Sequence, residues 1–273
     1  MSIPQSSSGS ARPLAVISGG GTGIGLASAL RLARDGFDLA LIGRRAGVLQ
    51  EATDRVLAQT PDARVQTITA DLQDPDAVER AAGEIAGGVE VLLNNAGGNV
   101  LDRGEGLAGI AANYEANMRL NVLTAVLLTE ALLPRIARPG GRIISISSIA
   151  ALRGANGYGA AKAAIHGWMM GLAADLAPEG VTVNAIAPGY VPDTGFWDGR
   201  RTPDIVASRL AQVPMNRAGT EYFTIRTVII EDRSTLGFST RPGSNSSAGN
   251  GARNGRSAAK SWPIVRILPS IRR

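Results

Sequence analysis

Pro13-Leu14-Ala15-Val16-Ile17-Ser18, Gly19-Gly20-Gly21-Thr22-Gly23-Ile24-Gly25 and Leu26-Ala27-Ser28-Ala29-Leu30-Arg31-Leu32-Ala33 follow one another without a break. The first run reads as a short buried strand, the second as a glycine-rich turn and the third as a helix. In that order they form the opening of a dinucleotide-binding unit. Glycines let the backbone approach a pyrophosphate closely, and the free N–H groups of a helix N-terminus hold its charge. Gly19, Gly23 and Gly25 are spaced G-x-x-x-G-x-G, not G-x-G-x-x-G. A flexible glycine loop without a ligand is the competing reading, and the flanking strand and helix weigh against it.

Outward from that turn the chain alternates strand and helix. Further strands are expected at Asp38–Gly43, Arg64–Ala70, Val89–Leu93, Gly141–Ser147 and Val181–Ala187. Helical patterns fill the gaps at Ala46–Ala58, Pro75–Ile85, Ala112–Ala137 and Gly159–Leu176. Such alternation predicts a single α/β domain built on a doubly wound parallel, Rossmann-like sheet. Ligands in these sheets lie beyond the carboxyl ends of the strands. The end of the second strand lies beside the adenosine ribose, and there the chain has Gly43-Arg44-Arg45 with no carboxylate. Two guanidinium groups suit a 2′-phosphate, so NADP is expected in preference to NAD. Solvated arginines at the start of a helix are the alternative.

Tyr158 and Lys162 stand four residues apart in Tyr-Gly-Ala-Ala-Lys. On a helix these positions share one face, so the phenol and the ammonium project into the same space. A nearby positive charge is expected to lower the tyrosine pKa and suit it to proton transfer. Alone, the spacing is equally that of two exposed side chains on an alanine-rich helix.

Together these residues resemble the short-chain dehydrogenase/reductase family, and within it members similar to β-ketoacyl-carrier-protein reductases. The resemblance runs from about Pro13 to Thr220. Beyond the turn it rests on Asp71-Leu72, Asn94-Asn95-Ala96-Gly97, Asn121, Ser148, Tyr158 with Lys162, and Pro188-Gly189 leading to Thr194, in the family's order. It implies a carbonyl reductase, or an alcohol dehydrogenase in reverse, that uses NADP. Ser148 would hydrogen-bond the substrate carbonyl oxygen and Tyr158 would protonate it as hydride arrives. Lys162 would lower the tyrosine pKa while bonding the nicotinamide ribose, and Asn121 would hold a water linking the lysine to solvent. The turn, through Gly19, Gly23, Ile24 and Gly25, would hold the pyrophosphate, and Asp71 with Leu72 would contact the adenine. Asn95, Ala96 and Gly97 would pack along the cofactor. Pro188, Gly189, Tyr190 and Val191, with Thr194, would form the loop at its carboxamide end. A purely structural role for Asn121 stays open. Ser148 lies closer to Tyr158 than is usual in the family. Ser145 has the commoner separation but falls mid-strand, and Ser147 is the reserve choice. Phe196 and Trp197, with Tyr190, read either as an apolar lid over the substrate or as packing anchors.

Composition narrows the field. The 273 residues are 44% apolar and 19% charged, with no cysteine and one histidine, His166. A zinc-dependent dehydrogenase lacks its ligands here. Met1–Arg12 is polar and is expected to be disordered, with no apolar leader. No run of 18 uninterrupted apolar residues points to a membrane, so the expected location is cytoplasmic. The catalytic domain is expected at 13–219. Residues 220–273 hold nine Lys+Arg against three Asp+Glu and have a low-complexity composition. This basic tail is either translated out of the ancestral frame or is an extension for an acidic partner. Its lack of aromatic interleaving or a binding motif makes nucleic acid the weaker choice. Apolar residues around Ala112–Ala137 and Gly159–Leu176 predict a homodimer, while a tetramer through the tail is in doubt. An NADP-binding protein impaired by an altered C-terminus and a nucleic-acid-associated protein acting through the tail are the alternatives to the enzyme.

Overall fold

The computed structural model describes residues 12–220 apart from Asp198 and Pro214. The expected disordered leader and the basic tail therefore lie outside the described residues, except Arg12 and Thr220. The core is a six-stranded parallel sheet: β1 Leu14–Ser18, β2 Asp38–Gly43, β3 Val65–Thr69, β4 Val91–Asn94, β5 Arg142–Ile146 and β6 Thr182–Ile186. Their order is β3-β2-β1-β4-β5-β6. The sequence reverses direction between β1 and β4, as in a doubly wound fold, and a ligand crevice opens at that switch point. Register is continuous across it, with Val16 beside Ala40 on one side and beside Leu92 on the other.

Alternate residues of each strand feed two apolar layers. Val16, Ala40, Ile42, Leu92 and Ile143 face one way and pack with Val78, Leu128 and Leu172. Ala15, Ile17, Leu39 and Leu41 face the other and pack with Leu26, Leu30 and Val56. The first helical layer comprises α3 Pro75–Glu84, α4 Gly106–Met118, α5 Thr124–Leu132 and α7 Asn156–Leu176, and the second α1 Gly23–Arg34 and α2 Ala46–Leu57. Two short helices, α6 Ala150–Arg153 and α8 Pro203–Ala211, lie in the loops beyond the strand ends. Burial on both faces explains why β1, β2, β4 and β5 read as apolar runs. Each fully buried Leu or Ile contributes about 1.5–3 kcal/mol relative to exposure. Asp74 starts α3 by accepting a hydrogen bond from the Asp76 N–H ahead of Pro75 at the first helical position.

Several boundaries differ from the sequence reading, most of them by a residue. The helix expected at Ala112–Ala137 begins at Gly106 and is not uniform: α4 passes into a π-turn, Arg119–Leu123, before α5 and a final 3-10 turn. The helix expected at Gly159 begins three residues earlier, at Asn156. Val89 stands outside β4 because it makes an isolated bridge to Ile136. The Gly106–Arg135 stretch is long and apolar enough to cross a membrane by length and composition. However, its Leu128 and Leu132 are fully buried in the sheet layer. Among the described residues β6 is an edge strand, with Thr182, Asn184 and Ala185 exposed.

Candidate active site

The glycine turn is tight because its atoms leave no room for side chains. A Cβ on Gly25 would lie 2.1 Å from the Gly19 carbonyl oxygen, and Gly19 itself has φ +64°. The end of β4 pins the turn. Asn95 Nδ2 donates to the carbonyls of Ser18 and Gly19 at 3.1 and 3.0 Å. The N–H groups of Asn95 and Ala96 both donate to Ser18 Oγ at 3.0 Å. Helix α1 starts with Thr22, which makes no side-chain cap, and it has no acid in its first turn. Its leading N–H groups are thus left for an anion. Thr194 closes on the turn: a Cβ on Gly23 would sit 3.2 Å from the Thr194 Cβ.

The other residues singled out for a dinucleotide gather at the same edge. Arg44 and Arg45 are exposed just after β2 and pair with no carboxylate among the described residues. Asp71 is exposed after β3, accepting from the Gln73 N–H at 3.1 Å, and Leu72 beside it is buried. Pro188 and Gly189 follow β6, and Val191 accepts a hydrogen bond from Thr194 Oγ1 at 3.2 Å. A glycine cradle, an uncapped helix start and two uncompensated arginines fit a phosphorylated dinucleotide.

Ser148, Tyr158 and Lys162 meet beyond the end of β5. Ser148 Oγ accepts from the Ala150 N–H at 3.1 Å and lies beside the Tyr158 phenol, whose pKa it acts to lower. Ser147 instead donates to the Lys162 carbonyl at 3.1 Å from a buried position. Ser145 Oγ is buried in the strand with no partner. Of the three serines considered, only Ser148 reaches the tyrosine. Lys162 is 4% exposed; its Nζ donates to the Ile146 carbonyl at 2.8 Å and lies 5.9 Å from the Tyr158 ring centroid. Burial lowers its pKa to about 8.

The electrostatics correct one expectation. Tyr158 is raised above the ordinary phenol value, not lowered, because burial outweighs the Ser148 hydrogen bond and the charge of Arg200. The Lys162 ammonium does not offset that burial in the free protein. The phenol of the free protein is therefore held as an acid.

Sequence reasoning found Asn121 but missed the rest of its row. Asn113, Asn117 and Asn121 are spaced four apart on one buried helical face. Asn121 sits in the π-turn, where Nδ2 donates to the carbonyls of Gly98 and Asn117 at 2.9 and 3.0 Å. Asn117 accepts from the Val100 N–H at 3.2 Å, and Asn113 donates to the carbonyls of Val100 and Asp102 at 2.8 and 2.7 Å. The row fastens the segment after Gly97, and its four-residue spacing was a readable signal. The Asn121 side chain thus holds the backbone of the Gly98 segment. Ser18 and Arg200 were also missed, because neither belongs to a recognisable spacing.

Phe196 and Trp197 form an aromatic wall beside the phenol. Phe196 lies 5.6 Å from the Tyr158 ring, and Trp197 meets Tyr190 edge-on at 5.1 Å. Both rings thus pack on tyrosines, as packing anchors would.

The model of the short chain dehydrogenase family matches residues 13–204. Galactitol 2-dehydrogenase of Cereibacter sphaeroides is 32% identical over 213 residues, 75% of this chain and 82% of that protein. Acetoacetyl-CoA reductase of Cupriavidus necator is 31% identical over 217 residues, 76% of this chain and 85% of that protein. The crystal structure of a short chain dehydrogenase from Burkholderia cenocepacia in complex with NADP is similar with a TM-score of 0.67 and 34% identity. That likeness covers 79% of this chain and 88% of the other.

Proposed function

The chain belongs to the short chain dehydrogenase family, and from that premise we propose that it is an NADPH-dependent carbonyl reductase, or in reverse an alcohol dehydrogenase, with Tyr158 as general acid and base. The observation that carries the reading is the convergence of Ser148 and a buried Lys162, its Nζ 5.9 Å from the ring centroid, on the Tyr158 phenol. NADPH, when bound, supplies the hydride. Gly19, Gly23, Ile24 and Gly25 at the start of α1 would hold its pyrophosphate, and Arg44 and Arg45 its 2′-phosphate. Asn95, Ala96, Gly97 and the Pro188–Thr194 loop would line the rest of the groove. The NADP complex of the Burkholderia cenocepacia relative supports this choice of cofactor.

The Ser148 hydroxyl holds the substrate carbonyl oxygen, and the Tyr158 O–H gives that oxygen its proton, leaving a phenolate. The Lys162 ammonium, 5.9 Å from the ring, stabilises the phenolate by its charge. Asn121 steadies this arrangement by holding Gly98, next to Gly97, in place. In the alcohol-oxidising direction the phenolate takes the proton back.

Titration of the purified protein with NADPH and separately with NADH, followed by cofactor fluorescence and a carbonyl screen with Tyr158→Phe as control, tests the reading. Selective NADPH binding with turnover lost in Tyr158→Phe is expected. A preference for NADH would refute the cofactor assignment, and turnover surviving in Tyr158→Phe would refute the role of the phenol. Tight NADPH binding without turnover of any carbonyl would instead favour an impaired cofactor-binding protein.

A homodimer is part of the same proposal. Leu107, Ile110 and Tyr114 of α4 and Met170 of α7 are exposed at 86, 39, 38 and 40%. Two copies meeting through this pair of helices would cover them. A monomer in sedimentation at working concentration would defeat the dimer.

A further inference from the structure

A short loop folds a positive charge onto the wall of the site. After the 3-10 turn Gly195–Trp197, the Arg200 N–H donates to the Trp197 carbonyl at 3.0 Å, and the Arg200 carbonyl accepts from the Thr202 N–H at 3.1 Å. Gly199 makes this reversal with φ +70°, a conformation open to few other residues. The Arg200 guanidinium is thereby laid over Phe196, 4.6 Å from its ring centroid, and 5.4 Å from that of Trp197. Phe196 is the same ring that stands 5.6 Å from Tyr158.

This cation has no counter-charge among the described residues. Asp193, the described acid of the same loop, is engaged by Arg201 at 2.8 Å. Arg209 of α8 brings a second guanidinium to within 5.6 Å of the Trp197 ring. Nor does the Arg200 side chain donate a hydrogen bond to any described residue. Stacking on aromatic faces leaves the edge of the guanidinium plane free, and that edge carries a fork of donors matched to a carboxylate. Close to apolar rings an unpaired cation attracts an anion more strongly than it would in open water.

We propose that Arg200 is the subsite for an anionic group on the substrate, so that the carbonyl compounds this protein prefers carry a carboxylate near the reacting carbon. The inference rests on the carbonyl-reductase reading above and narrows its substrate class. The carboxylate docks against Arg200 at the rim, the apolar part of the molecule lies along Phe196 and Trp197, and the carbonyl reaches Ser148 and Tyr158.

The test is NADPH oxidation with α-, β- and γ-keto carboxylates, each beside its uncharged methyl ester, in the parent protein and in Arg200→Gln and Arg200→Lys. At least one acid should exceed its ester in kcat/KM by about tenfold or more, the usual worth of a hydrogen bond to a charged group. Arg200→Gln should bring that ratio toward one, chiefly through KM of the acid, and Arg200→Lys should keep part of it. Esters turned over as well as their acids by the parent, or a ratio unchanged in Arg200→Gln, would overturn the carboxylate assignment while leaving the reductase reading in place. No NADPH oxidation with any carbonyl would bring down both.

Discussion

Asn121 and Gly98 are joined in both directions: the side-chain Nδ2 donates to the Gly98 carbonyl at 2.9 Å, and Oδ1 accepts from the Gly98 N–H at 3.2 Å. One side chain thus occupies both polar groups of a backbone unit that no strand or helix pairs. Asn121→Ala would strand those groups in a partly buried place. The expected loss is about 1–3 kcal/mol in urea unfolding, together with a fall in turnover as the segment after Gly97 loosens. Unchanged stability and unchanged rate in that variant would show the pair to be incidental.

Ser147 and Ser148 are neighbours with opposite duties. Ser148→Ala removes the hydroxyl at the phenol and should reduce kcat by about a hundredfold with little change in stability. Ser147→Ala removes a buried hydrogen bond to the Lys162 carbonyl and should cost about 1 kcal/mol of stability with a far smaller effect on rate. Paired activity and unfolding measurements separate the two, and the reverse pattern would reassign the catalytic serine.

Lys162 makes stability depend on pH in an unusual direction. Burial brings its pKa from 10.5 to about 8. Below the folded value both folded and unfolded chains hold the proton, and the cost of burying the ammonium is felt in full. Between the two values the unfolded chain holds more protons, so stability rises with pH. The sequence has only two lysines, Lys162 and Lys260, which leaves few other groups to mask the effect. Urea unfolding from about pH 7 to about pH 10 should show a gain on the order of 3 kcal/mol in the parent relative to Lys162→Met. Parallel curves for the two proteins would place the lysine pKa near its ordinary value.

Arg44 and Arg45 should discriminate between cofactors. Replacing both with alanine is expected to weaken NADPH binding by about tenfold or more while changing NADH binding little, because only the 2′-phosphate is lost as a partner. The parent's NADPH affinity should also fall as salt is raised. Equal losses for both cofactors would mean that the arginines serve the fold or the pyrophosphate instead.

Much of this architecture was legible because its determinants are local. The strand, glycine turn and α1 are contiguous, so Gly19, Gly23 and Gly25 could be assigned before any tertiary contact was known. Tyr158 and Lys162 needed only the helical repeat to be placed together. The choice of Ser148 over Ser145 was also readable, since a mid-strand hydroxyl cannot reach the end of the strand. What escaped depended on longer range. Whether burial or the lysine charge governs Tyr158 is decided by how much chain packs around the phenol, and the sequence states no such quantity. Arg200 acquires its position only through the reversal at Gly199 and the rings it lands on. The early start of α4 lies ahead of the apolar run from Ala112, and the helix packs on α7, a contact between distant parts of the chain.

The π-turn at Arg119–Leu123 acts as a spacer in the phase of the long helix. A π-turn carries a residue more than the α-helix around it, so the two halves are out of step by about 100° relative to an unbroken α-helix. Deleting one residue there would leave a regular helix with every backbone bond made. It would nevertheless turn Asn113 and Asn117 about a quarter-turn away from Val100, while Leu128 and Leu132 kept their seats on the sheet. In this part of the chain, improving the local geometry and preserving the site are opposing demands, and the sequence has kept the irregular solution.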